Sequence, residues 1–193
     1  MKFYLSYLKD FSEDEYNKCF SMMSEARKNA VLRYKNENDR KRTVLGEYLA
    51  RKAVSAILDV DEKSIRFDRD ENGKPFVLGL DAEFSVSHSG DAVVCAVCKE
   101  KIGIDVELLR PINLRVTKIA CTESEKDFIF SAESEEEQRE RFFRIWTAKE
   151  AYFKWLGTGI TKLKAVEYSN LIPFCKVFRE GDYIITVYKK QTV

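Results

Sequence analysis

The sequence predicts an α+β fold in which antiparallel strands pack on helices in each half of the chain. Helix starts are marked by Ser12, Thr122 and Ser134, each followed three residues later by glutamate, which is the pattern of a capping box. Strands are marked by short runs of β-branched and aromatic residues between turn signals. The halves meet near residues 99–102 without a Pro/Gly/Ser-rich linker, so we expect one compact body.

The first half is predicted to begin with a strand and to contain its helices before the remaining strands. Asn72-Gly73 favours a hairpin turn because both residues tolerate positive φ. The predicted elements are a strand over 2–8, a helix from Ser12 to about Met23, a helix from Ser24, a long helix after the polar break 36–39 to about Leu58, a strand over 65–67, a turn over 70–73, and strands over 84–87 and 92–97.

The second half is predicted to open on a buried strand and to close with a hairpin. Pro111 ends the extended segment after that first strand, and Glu180-Gly181-Asp182 supplies a turn. The predicted elements are a strand over 102–107, a short helix around 114–120, a helix from Thr122, a helix from Ser134 through Lys154 to near Gly157, and strands over 164–169, 174–178 and 183–189.

Composition is that of an ordinary globular protein, with 45% apolar and 34% charged residues and a net charge of +1. Charge is uneven: residues 21–53 carry nine Lys/Arg against four Asp/Glu, and residues 123–140 carry eight Asp/Glu against two Lys/Arg. These segments are either two solvated helical faces, or the basic one contacts an anion. The sequence contains no apolar run approaching the ~18–20 residues of a membrane span, so we expect neither span nor signal peptide.

The cysteines and the histidine exclude two kinds of site. Five cysteines are an odd number, which disfavours a full disulfide framework. Cys95 and Cys98 have CxxC spacing, but on a strand residues i and i+3 face opposite ways and cannot clamp one metal ion. We therefore predict five free thiols and a reducing cytoplasm. A single histidine rules out a multi-histidine metal site.

The strand over 102–107 carries two carboxylates among β-branched residues. Asp105 and Glu107 share one face, about 7 Å apart along the strand. Two buried like charges repel each other and resist desolvation, so a cation is expected between them, and oxygen ligands suit Mg²⁺. The alternative is two exposed acids on an edge strand.

A second stretch adds a third carboxylate. Trp146, Glu150 and Lys154 recur at i, i+4 and i+8 and form one helical stripe, with Lys149 beside it. Mg²⁺ uses few carboxylates and fills its shell with water and phosphate oxygens, so this stripe would complete a Mg²⁺–phosphate site. Alternatively, Lys154 is a surface lysine paired at i,i+4. Trp146 is expected to pack.

The two stretches together resemble one family. Gly103–Glu107 has the sequence Gly-Ile-Asp-Val-Glu, and about forty residues later Trp146–Lys154 has the sequence Trp-Thr-Ala-Lys-Glu-Ala-Tyr-Phe-Lys. This pair resembles the 4′-phosphopantetheinyl transferase superfamily, and a glutamate two residues after the aspartate resembles its Sfp (surfactin-synthetase-activating) branch.

The resemblance implies a fold and an activity. The fold would be two similar subdomains related by a pseudo-two-fold axis, with the active site between them: 1–100 for coenzyme A phosphates, and 101–193 for the Mg²⁺-binding acids and the catalytic helix. The activity would be Mg²⁺-dependent transfer of the phosphopantetheine arm of coenzyme A to a serine of an apo acyl or peptidyl carrier protein, releasing adenosine 3′,5′-bisphosphate.

The resemblance also assigns site residues. It implies that Mg²⁺ is held by Asp105, Glu107 and Glu150, that Glu150 is also a base acting directly or through water, and that Lys154 binds phosphate. One departure concerns the 3′-phosphate: where the branch can carry a second lysine, this chain has Ala30. The implied coenzyme A ligands are Arg27, Arg42, Thr43, Lys74 in a Gly-Lys-Pro segment, Ser87 and His88, besides Lys154.

Two other functions remain open at this stage. One is a different Mg²⁺-dependent phosphotransfer or phosphohydrolase enzyme with the same carboxylates. The other is a non-catalytic module that binds coenzyme A or a carrier protein. Nucleic-acid binding is disfavoured by the net charge of +1. Two subdomains in one chain suggest a monomer.

Overall fold

The computed structural model describes residues 1–159 and 162–190, except for the side chain of Leu114. The helices are α1 Glu13–Met22, α2 Glu25–Leu32, α3 Glu37–Leu58, α4 Leu114–Ala120, α5 Glu123–Phe130, α6 Glu135–Leu156 and α7 Tyr168–Leu171. The strands are β1 Lys2–Tyr7, β2 Phe67–Arg69, β3 Pro75–Val77, β4 Glu83–Ser89, β5 Ala92–Cys98, β6 Gly103–Leu108, β7 Cys175–Glu180 and β8 Tyr183–Tyr188.

The two halves of the chain follow the same plan. Each contains a three-stranded antiparallel sheet, in the order β1-β5-β4 in the first half and β6-β8-β7 in the second, with the last strand of each half at the centre. A 22-residue helix packs on each sheet, α3 on the first and α6 on the second. The predicted α+β fold of two similar subdomains is therefore confirmed.

The helix starts predicted at Ser12, Thr122 and Ser134 are confirmed, with one difference of detail at Ser134. Ser12 and Thr122 form complete capping boxes, in which the hydroxyl accepts the N–H of the third helical residue and that residue's carboxylate accepts the N–H of the cap. Ser134 caps α6 through its hydroxyl, but the side chain of Glu137 pairs with Arg141 at 2.7 Å. Its box is therefore formed on one side only.

The strand predicted over 164–169 is wrong. This segment forms a 3₁₀ turn over Leu163–Ala165 and then helix α7. The N–H of Tyr168 donates to the carboxylate of Glu125 at 2.8 Å, which anchors the start of α7 instead of pairing with a strand. The long helix α3 also begins within the predicted polar break, because Asn36 caps it.

Strand β5 separates two cores, because it is buried on both faces. Val93, Cys95 and Val97 pack against the helices of the first half. The alternate residues, including Cys98, pack against β6 and β8 of the second sheet. The two sheets thus share a core, and Cys95 and Cys98 lie on opposite faces as predicted. All five cysteines are free thiols.

Among the described residues, none of the helices combines enough length with enough apolar character to cross a membrane.

Candidate active site

The acids of β6 face helix α6. Ile104 and Val106 enter the core shared by the two sheets, so the alternate residues Asp105 and Glu107 point to the other side of the strand. Asp105 is only 4% exposed. The predicted common face is confirmed, and it is turned towards a helix rather than towards open solvent.

Gly103 allows β6 to lie directly against α6. A Cβ atom at this position would come within 1.9 Å of the carbonyl oxygen of Ala151 and 2.8 Å of the backbone nitrogen of Trp155. Only a residue without a side chain permits this approach. The glycine that precedes the acids therefore sets the distance between the acid strand and the helix that carries the third acid.

The predicted stripe of α6 meets β6 along its length. The Lys154 ammonium donates to Asp105 Oδ1 at 2.7 Å. Burial raises the pKa of Glu107, and the nearby indole of Trp146 partly opposes that rise. Glu150 lies between Trp146 and Lys154 on the stripe and is 7% exposed. Burial, and next the charge of Asp105, raise the pKa of Glu150 to about 7. The three acids therefore act on one another electrostatically.

Ser87 joins the first sheet to this acid–lysine pair. Its hydroxyl donates to Asp105 Oδ1 at 2.6 Å and accepts from the Lys154 ammonium at 2.7 Å. The sequence predicted Ser87 as a phosphate ligand. The structure places it next to both a predicted metal ligand and a predicted phosphate-binding lysine, which the sequence did not foresee.

Two neighbouring serines extend this contact, and the sequence analysis missed both. The Ser89 hydroxyl donates to Glu107 Oε2 at 2.7 Å and accepts the N–H of Leu108 at 3.2 Å. The Ser85 hydroxyl accepts the N–H of Ile104 at 3.2 Å. Alternation of serine at 85, 87 and 89 was the available signal, because alternate residues of a strand share a face. We call these three residues the serine row.

One oxygen of the acid cluster has no partner in the protein. Asp105 Oδ2 is buried and has no hydrogen-bond partner. A buried acceptor without a partner costs about 1–3 kcal/mol, and more when it is charged. Within residues 1–159 and 162–190, no three acidic, histidine or cysteine side chains are already arranged as a metal site. The chemistry of the donors nevertheless fits a hard cation, because all of them are carboxylate oxygens.

Glu107 pairs with a different cation from that of Asp105, and this cation is more exposed. Arg110 lies 3.2 Å from Glu107 Oε2 and is largely exposed. Burial raises the pKa of Glu107, while the hydrogen bond from Ser89 lowers it and the charge of Asp105 raises it further. Because Arg110 can move into solvent, Glu107 is free to exchange that partner for another cation.

A cavity of about 530 Å³ opens on the first-half side of the acids. Its walls include Arg27, Arg42, Thr43 and His88, so the structure brings together four of the predicted coenzyme A ligands. Ala30 also lies in the wall. A cavity of this size with cationic walls suits an anionic small molecule.

Lys74 lies in a smaller adjoining cavity of about 240 Å³ together with Lys154. Pro75, Phe84 and Val86 line both cavities, so the two cavities lie next to each other. Lys74 pairs with Glu83 at 3.7 Å, and burial lowers the pKa of its ammonium. Apart from Ser87, the predicted ligands are thus divided between a larger arginine-rich cavity and a smaller lysine-lined one.

His88 lies where the cations of the two cavities meet. Desolvation, and then the charges of Arg42 and Lys154, lower the pKa of its imidazole. Arg42 is fixed by a hydrogen bond to the carbonyl of Gly90 and an ion pair with Asp39. A position between two cations favours a bound anion over a protonated histidine.

Lys149 does not belong to this site. Its ammonium is fully buried and donates to Glu125 at 2.6 Å and to the carbonyl of Ala120 at 2.9 Å. One residue along a helix is a rotation of about 100°, so Lys149 points away from the Glu150 stripe. The position of Lys149 one residue before Glu150, rather than four residues after it like Lys154, already indicated in the sequence that Lys149 faces away from the site.

Comparisons with known proteins agree with the motifs. Residues 10–100 match the family model "4′-phosphopantetheinyl transferase, N-terminal", and residues 101–187 match "4′-phosphopantetheinyl transferase superfamily". The chain is 34% identical to 4′-phosphopantetheinyl transferase Sfp of Bacillus subtilis over 163 residues, covering 83% of this chain and 72% of that protein. It is 36% identical to the gsp transferase of Aneurinibacillus migulanus, covering 75% of this chain and 60% of that protein. It is likewise 36% identical to 4′-phosphopantetheinyl transferase HetI of Nostoc, over 66% of this chain and 56% of that protein.

Proposed function

The chain belongs to the 4′-phosphopantetheinyl transferase superfamily, in its Sfp branch, and from that premise we propose its reaction. It transfers the 4′-phosphopantetheine arm of coenzyme A to a serine of an apo acyl or peptidyl carrier protein. The observation that carries the proposal is the pairing of Asp105 with Lys154. One oxygen of Asp105 accepts from Lys154, the other is buried without a partner, and Lys154 lines the smaller cavity together with Lys74. Acids for a cation and cations for phosphates therefore meet at one place.

We propose that Asp105, Glu107 and Glu150 hold Mg²⁺. When bound, the ion supplies Lewis-acid stabilisation of phosphate charge and a template for the reacting groups. The support is the orphaned Asp105 oxygen and the mutual repulsion of the three acids, which a divalent cation relieves.

The side chains around the cavities then position the donor. Lys154, Ser87 and His88 lie together and bind the pyrophosphate, while Lys74 lines the adjoining cavity. Cationic and hydroxyl donors held in place stabilise charge on a phosphoryl group and orient it for attack. The hydrogen bond from Ser87 to Asp105 holds these two side chains in place while the phosphate is bound.

The chemical step is a displacement at phosphorus. The carrier serine oxygen bonds to the β-phosphorus, and the bond from that phosphorus to the bridging oxygen breaks, releasing adenosine 3′,5′-bisphosphate. The serine proton passes to Glu150 directly or through a water, because Glu150 lies on the α6 stripe between Trp146 and Lys154 and its pKa of about 7 suits a general base. No covalent enzyme intermediate is required.

We also propose that the protein acts as a monomer in the cytoplasm on a carrier of fatty-acid, polyketide or nonribosomal-peptide synthesis. Its five free thiols support a reducing compartment. Its two similar subdomains support a site completed within one chain.

The test is the intact mass of purified apo acyl and peptidyl carrier proteins after incubation with this protein, coenzyme A and Mg²⁺. A gain of one phosphopantetheine arm is expected with Mg²⁺ and no gain with EDTA. Asp105→Ala is the matched protein control. Binding of coenzyme A without a gain on any carrier would indicate a binding module, and hydrolysis or transfer without a carrier would indicate another phosphotransfer enzyme.

A further inference from the structure

We propose that Ser89 is a positioning residue of the acid cluster: by holding the Glu107 carboxylate in place, its hydroxyl sets the affinity of the cluster for a divalent cation. The inference rests on the proposed function, in which Glu107 is a metal ligand, and it gives a role to a side chain that the proposed reaction leaves unused. The contact on which it depends joins strand β4 of the first half to strand β6 of the second half.

The two acids of β6 are held in the same way. The Ser87 hydroxyl donates to Asp105 Oδ1 at 2.6 Å, and the Ser89 hydroxyl donates to Glu107 Oε2 at 2.7 Å. At Asp105 the other oxygen, Oδ2, is the buried one that has no partner. A hydrogen bond to one oxygen of a carboxylate fixes the direction in which the other oxygen points. Ser89 therefore orients Glu107 as Ser87 orients Asp105.

The Ser89 hydroxyl itself has little freedom to turn. Ser89 is 8% exposed, and strand pairing places it opposite Ala92 of the central strand β5. Its oxygen accepts the N–H of Leu108 at 3.2 Å, and its proton is donated to Glu107. Because a hydroxyl has a single proton to donate, these two bonds together select one orientation. The side chain of Glu107 is thereby tied to the backbone of its own strand.

The cation near Glu107 holds this carboxylate less firmly. The Arg110 side chain is 57% exposed and lies 3.2 Å from the same oxygen, Oε2. An exposed ion pair restrains its partners weakly, and a guanidinium competes with a metal ion for a carboxylate. A serine hydroxyl carries no charge and so does not compete in this way. Hydrogen bonds of this kind to metal-binding side chains orient the ligands of metal sites.

The experiment measures metal affinity without turnover. Mn²⁺, which suits the same oxygen ligands as Mg²⁺, is titrated into the protein with one equivalent of coenzyme A and no carrier, and the free ion is followed by electron paramagnetic resonance. Ser89→Ala should raise the dissociation constant about 10- to 100-fold, and Ser89→Thr, which keeps the hydroxyl, should recover most of the affinity. A dissociation constant for Ser89→Ala within about twofold of wild type would overturn the assignment.

Ser85→Ala is the matched control, because Ser85 lies on the same strand and accepts the N–H of Ile104 at 3.2 Å, much as Ser89 accepts that of Leu108. In the part of the chain that the structure describes, the Ser85 hydroxyl bonds to the backbone of β6 and not to a carboxylate. Ser85→Ala should therefore keep the wild-type affinity for Mn²⁺. An equal loss of affinity in both variants would indicate that these serines only hold the strands together, and would overturn the role of Ser89. Melting temperatures verify that both variants fold.

Arg110→Met separates the serine from the cation on the same oxygen. Removing the guanidinium removes a competitor for Glu107, so the affinity for Mn²⁺ should be unchanged or higher. A loss as large as that of Ser89→Ala would show that either contact to Oε2 serves equally, and would overturn the assignment to the hydroxyl.

The dependence of transfer on Mg²⁺ gives a second measurement. Ser89→Ala should need more Mg²⁺ for half-maximal carrier modification, while the KM for coenzyme A at saturating Mg²⁺ stays within about twofold of wild type. A purely structural role would lower the amount of folded protein and would move neither value.

The wild-type titration separates this inference from the proposed reaction. If wild type binds Mn²⁺ and Ser89→Ala binds it more weakly, the inference stands even if no carrier is modified. If both bind Mn²⁺ equally while carriers are modified, only the inference falls. If wild type binds no more Mn²⁺ than coenzyme A alone, the inference and the proposed metal site fall together.

Discussion

Two lysines of helix α6 lie at nearly the same distance from a carboxylate, but one forms a structural pair and the other belongs to the candidate site. Lys149 lies 2.6 Å from Glu125, and Lys154 lies 2.7 Å from Asp105. The Lys149 side chain is fully buried, whereas that of Lys154 is 25% exposed. The carboxylates of both pairs are buried, so the difference lies in what else each partner contacts.

The Lys149 pair is complete. One oxygen of Glu125 accepts from Lys149 and from the N–H of Thr122, and the other accepts from the N–H of Tyr168. This pair ties α6 to the start of α5 and to α7. Asp105, by contrast, uses one oxygen for Lys154 and Ser87 and leaves the other without a partner. A saturated buried pair indicates a structural role, and an unsaturated one indicates a place for a ligand.

The largest expected effect follows from removing the unsaturated acid. Asp105→Ala should lower the rate of carrier modification by on the order of 10³-fold, the scale for losing a preorganised electrostatic group. Lys154 can turn into solvent, so the fold should persist. Carrier modification by intact mass and circular dichroism together measure this. Transfer within about tenfold of wild type would contradict the proposed metal-binding role.

Breaking the saturated pair should affect stability instead. Lys149→Met leaves Glu125 buried without its cation, which typically costs about 3–5 kcal/mol. Chemical denaturation should show this loss in the free energy of unfolding, with kcat per folded molecule changed by no more than about threefold. The double variant Lys149→Met/Glu125→Gln should regain part of the loss. A stable Lys149→Met protein with lost transfer would reverse the roles assigned to the two lysines.

Lys154→Met tests the other lysine in the same way. Its kcat/KM should fall about 10²-fold, because a donor to the phosphate is lost. Its free energy of unfolding should fall by less than that of Lys149→Met, because the Lys154 ammonium is partly exposed and the Asp105 carboxylate keeps its hydrogen bond from Ser87. The comparison with Lys149→Met on the same helix is the control. Equal destabilisation of the two variants would remove the distinction between them.

The smallest expected effect is a pH dependence caused by Glu150. Its pKa is about 7 in the fold and 4.5 ordinarily, so between these pH values the folded protein holds a proton that the unfolded chain has released. The contribution to stability is therefore complete below pH 4.5 and is lost as pH rises through 7, by at most about 1.4 kcal/mol per pH unit. Urea denaturation in EDTA should show this slope in wild type and a flatter one in Glu150→Gln. Parallel pH profiles of the two proteins would contradict it.

The sequence by itself determined the elements and their faces. Alternation placed Asp105 and Glu107 on one side of β6, and helical spacing placed Trp146, Glu150 and Lys154 on one stripe. These features depend on residue periodicity within one element, which does not change when the element is packed. The two motifs were therefore sufficient to identify the family.

Only the tertiary structure decided what each face meets. In the folded protein, Lys149 is buried against Glu125. The segment 164–169 forms part of a 3₁₀ turn and helix α7 rather than a strand. The serine row of β4 contacts the acids of β6. The fold also brings Arg69 of a hairpin to the cavity that Arg27 lines. Each of these outcomes joins residues far apart in the chain, and local propensity contains no information about partners that only packing selects.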